Sequence, residues 1–190
     1  MNIMRVYAGE EAMTKKGSLN LSYPIERGTV SNWDDMTTIW KHCYNELGVD
    51  SSEHPCLLTE SNLIFNLAPL NSRANREKII ETMFETFEVP SCYLTLSAVL
   101  SLHACGKTTG LVLESGRGVT STVPIYEGSP QVFAIENQNF AGQDVTEYLR
   151  YLLRDIGLNF YNSAHLQTVR DIKEKHCYVA LDYKKETTGI

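Results

Sequence analysis

The sequence has no apolar run approaching the roughly 20 residues that a membrane-spanning helix requires. Its first residues, MNIMRVYAGEEAMTKKG, lack the apolar stretch of a secretory signal. The expectation is a chain that is neither secreted nor embedded in a membrane. Positive charge is also scarce: 17 Lys and Arg stand against 23 Asp and Glu, a net charge of −6, and the basic residues do not cluster. That argues against nucleic acid as a partner, because a phosphate backbone needs a basic face. Cysteine is limited to five widely spaced residues with no C-x-x-C pair, and no His stands at zinc-finger spacing. This excludes a disulfide framework or a structural zinc site and points to reduced thiols in a cytoplasmic protein. Low-complexity segments, linkers and short-period repeats are absent too.

What is present is core material: 43% of the 190 residues are hydrophobic, enough for one large domain or two small ones. SLNLSY, residues 18–23, alternates polar and apolar and predicts a half-buried strand ending at Pro24. Ser31 and Asn32 can cap a helix through WDDMTTIWKHCYNEL, which carries Asp34 and Asp35 in its first turn and an apolar stripe from Met36 to Leu47, with Gly48 as its stop. CLLT, residues 56–59, reads as a short buried strand. The apolar SNLIFNL that follows, residues 61–67, is read as a local extension of that strand; protruding, it would form a partner or aggregation patch.

Asn71 can then cap a helix to about Phe87, with Ile79, Ile80, Met83, Phe84 and Phe87 on its inner face. A strand near 92–96, a helix near 97–104 and a strand at 109–114 give an α/β pattern. GQDVTEYLRYLLRDIG predicts an amphipathic helix with Val145, Tyr148, Leu149, Leu152, Leu153 and Ile156 on one side and Gly157 as its end. A second helix is expected over HLQTVRDIKEKHCYVAL, residues 165–181, and the closing YKKETTGI is expected to fray.

The stretch that raises a functional question is LESGRGVTSTVPIYEG, residues 113–128, a strand running into a Gly-x-Gly turn and out into a second strand. Gly116 and Gly118 can take φ > 0 and carry no Cβ, so backbone N–H groups there can converge on an anion. A lone Gly-x-Gly hairpin is weak evidence for this, and on the motif alone a plain β-turn is the preferred reading. His42, His54, His103, His165 and His176 form no ligand spacing, and Cys105 reads as a packing thiol.

Taken together, YAGEEAMTKKGSLNLSYPIERG, NWDDMTTIW, YNELGV, HPCLLTE, APLNSRANREK, MFETF, AVLSLHACGKTTG, GVTSTVPIYEG and VRDIKEKHCYVALD resemble actin, in order along nearly the whole chain. The resemblance covers the middle of that family's longer sequence, so the chain is expected to be a truncated, divergent member. It would lack the first phosphate loop and the second half of the inner domain. The fold implied is α/β, actin-like and sugar-kinase-like: two incomplete lobes of mixed sheet with flanking helices. Residues 1–104 would correspond to an outer lobe and 105–190 to the first part of an inner lobe.

By resemblance, the second phosphate hairpin falls on Gly116, Gly118 and Val119, a glycine beside the base on Gly142, and the base- and ribose-side helix on Arg170, Lys173 and Glu174. The last three lie at i, i+3 and i+4, so one helical face can present them to a ligand, or simply carry an exposed Arg170–Glu174 pair. The ligand implied is ATP or ADP with Mg2+. The family's metal- and water-handling positions are altered: Glu114 stands where it has an Asp, Arg117 where it has a second Asp, and Ser97 and Ser121 where it has a Gln and a His. No residue is therefore assigned as catalytic or as a metal ligand. Arg117 can pair with phosphate directly, partly replacing a metal, but the preferred reading is a surface Arg accepted at a site no longer used for hydrolysis. Arg27 stands where the family usually has a modified histidine near the cleft.

The implied function is an actin-like cytoskeletal protein with a residual nucleotide site and poor or no ATP hydrolysis, contributing to or modulating actin filaments. The alternatives are a non-enzymatic module that binds actin or actin-binding proteins, and an unstable partial gene product. Unpaired sheet edges would favour low stability or self-association.

Overall fold

The computed structural model describes residues 6–60 and 69–188, with only the backbone for 69–72. SNLIFNL lies outside the described residues. The backbone separates into two compact units, Met1–Gln143 and Asp144–Ile190. The lobe boundary expected at residue 104 falls inside the first unit.

In the first unit a short helix, α1 (Gly9–Thr14), precedes a two-strand hairpin, β1 (Ile25–Glu26) and β2 (Thr29–Val30). Its turn places Arg27 at φ 49° and Gly28 at φ 79°, the left-handed pair of a tight hairpin. SLNLSY does not form a strand. The alternation supplies one side of a ladder, but among the described residues no neighbouring strand pairs with it, and Ser22 instead donates to Asp35 at 2.6 Å.

Helix α2 (Trp33–Leu47) begins and ends as its sequence predicts. Asn32 caps it by accepting from the Asp35 N–H, and Gly48 closes it at φ 66° in the left-handed region. β3 (Cys56–Glu60) and β4 (Cys92–Leu96) pair in parallel, joined by α3 (Pro69–Glu81). A widened π-type turn, Thr82–Thr86, follows α3.

That turn changes which side chains face inward. An i→i+5 bond, Phe87 N–H to Thr82 C=O at 3.2 Å, adds a residue to the turn and rotates the stripe. Thr82, Met83 and Phe87 are buried, whereas Phe84, expected inside, is 42% exposed. Trp40, Tyr44, Cys56, Leu58 and Cys92 pack on Met83, Phe87 and Val89, with the Trp40 ring edge-on to Phe87 at 6.2 Å.

A second core forms where α4 (Ser97–Ala104) lies on a sheet of β5 (Gly110–Ser115), β6 (Thr120–Tyr126), β7 (Ser129–Pro130) and β8 (Glu136–Gln138). Ala98, Val99 and Leu102 of the helix meet Val123, Ile125 and Ile135. β5 and β6 form the expected antiparallel hairpin, with Val112 opposite Val123 and Glu114 opposite Ser121.

Helix α5 (Gly142–Asp155) starts at the end of the first unit and runs into the second. Gly157 terminates it at φ 90°, as expected. Its apolar stripe is less covered than the pattern predicts: Tyr148 is 64% and Ile156 73% exposed. Helix α6 (Ser163–His176) buries Val169 completely and ends earlier than expected, because Cys177 takes an extended conformation; Val179 lies beyond the helix and is 92% exposed. The closing residues do not simply fray: Asp182 caps a short α7 (Tyr183–Thr187).

Candidate functional site

The Gly-x-Gly turn closes the β5–β6 hairpin, and the carbonyls of residues 116–118 are each held. Gly142 N–H donates to Gly116 C=O at 3.0 Å and Gln143 N–H to Arg117 C=O at 2.7 Å, so the first turn of α5 grips the loop. The Arg27 guanidinium donates to Gly118 C=O at 3.0 Å and to Asn139 C=O at 2.8 Å. In a trans peptide the N–H points opposite the C=O. Holding the carbonyls of 116, 117 and 118 therefore turns the N–H groups of Arg117, Gly118 and Val119 away from those partners. None of these three donates to a backbone carbonyl among the described residues.

The glycines act differently from the sequence expectation. Neither Gly116 nor Gly118 adopts a positive φ. Gly118 is needed for closeness: a Cβ there would come within 3.1 Å of Arg27 Cα and 3.2 Å of its N. Gly116 has room for a side chain, and its own N–H is used within the hairpin, donating to Val119 C=O at 3.1 Å.

A cavity of about 610 Å³ opens beside the turn, lined by Tyr23, Arg27, Glu114 and Ser121 together with residues 115–119 and Gln143, and by Pro24, Ile25, Met36 and Ile39. A smaller one of about 470 Å³ shares Tyr23, Arg27, Arg117 and Gln143 and adds Glu26. The larger volume falls in the usual range for a small-molecule or cofactor site. The guanidinium carbon of Arg117 sits over the Tyr23 ring, 3.6 Å from its centroid, a cation–π contact that fixes an otherwise mobile cation on the cavity wall.

Of the predicted site residues, Gly116, Gly118 and Val119 come together at the cavity, and Gly142 is bonded to Gly116. Arg170, Lys173 and Glu174 lie on α6 in the second unit, where Arg170 is paired with Glu174 at 2.7 Å.

The donor set does not suit magnesium. Glu114 is the single carboxylate lining the larger cavity, and it already accepts from Ser97 Oγ at 2.7 Å and Ser101 Oγ at 3.4 Å. Among the described residues no three His, Cys, Asp or Glu gather as a metal set. In a phosphate site Mg2+ keeps several waters and needs one or two well-placed carboxylates, and the one carboxylate here is turned to two serines in a cavity that two arginines also line. Ser97 clamps Glu114, and Ser121 is buried opposite Glu114 in the sheet.

Sequence reasoning missed Tyr23 as the platform for Arg117, and Asn137. The latter pairs with Ser121 across β8 and β6, and its Oδ1 is buried without a hydrogen-bond partner. The signal for Asn137 was a polar residue at an inward position of a short strand, legible only once register is known.

The chain is thus mixed α/β, with small sheets, flanking helices and a glycine turn gripped by a helix start beside a cavity. The actin family model matches residues 1–189, and the chain belongs to the actin family. No helix among the described residues is long and apolar enough to cross a membrane.

Proposed function

We propose that this actin-family chain is a cytoplasmic cytoskeletal protein that holds ATP or ADP weakly, hydrolyses it poorly or not at all, and contributes to or modulates actin filaments. The observation that carries the reading is the turn over residues 116–119, with three carbonyls held and the opposing N–H groups left for a ligand beside a nucleotide-sized cavity. Poor hydrolysis follows from the side chains around it. Ser97 and Ser121 lack the reach and proton-accepting power to position an attacking water, and Ser97 is committed to Glu114. Equilibrium titration with ATP and ADP tests the nucleotide half, and no binding at millimolar ligand would refute it. Co-sedimentation with actin filaments tests the other half, and a chain that stays in the supernatant and leaves assembly kinetics unchanged removes it.

A second reading, a non-enzymatic module for actin or actin-binding proteins, draws support from the β3–β4 sheet. Its outward pair, Leu57 and Tyr93, is 57% and 67% exposed at directly opposed positions. Self-association through open sheet edges belongs to the same reading.

A further inference from the structure

The cavity's charge is the reverse of a metal site. Arg27 and Arg117 line it against one carboxylate, Glu114, which two serines already occupy; Glu26 faces only the adjoining cavity. Arg117 is the better placed of the two arginines for an incoming anion. It is held over the Tyr23 ring by a cation–π contact, which uses none of the guanidinium's N–H donors, whereas Arg27 spends one nitrogen on two carbonyls. The backbone N–H groups of Gly118 and Val119 stand on the same turn.

We infer that the cavity takes a polyphosphate as the free anion, with Arg117 in the place a divalent cation would otherwise fill, so that magnesium is not required and weakens binding by neutralising the ligand. This rests on the nucleotide reading and adds the ionic form of the ligand. A guanidinium can meet phosphate oxygens through two parallel N–H bonds, and such charge-assisted bonds are about twice as strong as neutral ones. Backbone N–H groups add fixed dipoles without requiring a second ion.

The test is calorimetric titration of the full chain with inorganic pyrophosphate, ADP and ATP, each in EDTA and again with excess Mg2+. Binding of pyrophosphate and ATP in EDTA, weakened several-fold by Mg2+, is the expected result. Arg117→Ala should lower pyrophosphate affinity about tenfold or more, and Arg117→Asp should abolish it. Arg117 is exposed, so both variants should fold, and an unchanged thermal transition checks that they do. Binding of ATP only with Mg2+ overturns the inference while leaving the nucleotide reading intact. Binding of pyrophosphate but not ATP supports the anion site and refutes the nucleotide reading. No binding of any of the three in either condition refutes both, and Arg117→Ala binding as tightly as the parent overturns the role given to Arg117.

Discussion

At the residue scale, the two glycines of the Gly-x-Gly turn look equivalent in sequence and are not equivalent in structure. A methyl group at 118 would meet the Arg27 backbone at 3.1 Å, an atom that cannot rotate away, whereas at 116 the nearest atom is 3.9 Å distant. Gly118→Ala should therefore cost about 1–3 kcal/mol, the usual range for overpacking, and Gly116→Ala much less. Urea midpoints of the two variants check this, and equal losses would contradict it. A second residue effect concerns alkaline pH. Burial, aided by a hydrogen bond with Cys56, pushes the Tyr44 phenol from its ordinary 10.0 up to about 12. The folded state thus holds its proton more tightly than the unfolded one. That contribution is complete below pH 10 and is lost as pH rises through about 12. Tyr44→Phe should flatten the alkaline fall in stability over that window, as followed by circular dichroism.

At the element scale, β3 and β4 bring Cys56 and Cys92 into register as direct neighbours beneath the Met83–Phe87 core. Burial, with Cys56 adjacent, raises the Cys92 thiol above its usual value, while Cys43, Cys105 and Cys177 are exposed. Since the thiolate is the reactive form, alkylation at pH 8 should modify the three exposed cysteines well before Cys92. Peptide mapping by mass spectrometry reads the order directly, and early labelling of Cys92 would show that β4 opens readily. The same elements show what the sequence could and could not reveal. Local chemistry was legible: Asn32 and Gly48 bracket α2, Gly157 ends α5, and the β5–β6 hairpin follows its alternation. The inward face after residue 81 was not, because a π-type turn rotates the stripe and no side-chain pattern announces it. SLNLSY failed for a different reason, since alternation states which face a strand would bury but not whether a partner exists. In the site, the glycine turn was legible as a motif, but its grip by α5 and Arg27 depends on contacts across 91 and 112 residues of chain for the arginine alone.

At the scale of the whole molecule, the question is what the open edges do in solution. Among the described residues β5 pairs only with β6; its six residues contain no Lys, Pro or bulge, and their one charge, Glu114, sits near the turn end and is bonded to Ser97. The strand alternates: Val112 faces the core, while Leu111 and Leu113 are 68% and 67% exposed. A second copy meeting this edge antiparallel about Val112 would set Leu111 of one chain opposite Leu113 of the other, covering both leucines and completing the backbone hydrogen bonds. The two-fold arrangement closes on itself and predicts a dimer instead of an open fibre. Leu113→Lys places charge on that face without touching the core, since Thr122 is the residue opposite. Analytical ultracentrifugation should find the parent chain associating with rising concentration and the variant shifted toward monomer, with the thermal transition of the monomer unchanged. A parent chain that stays monomeric across the same concentrations would mean that the β5 edge is not used for self-pairing.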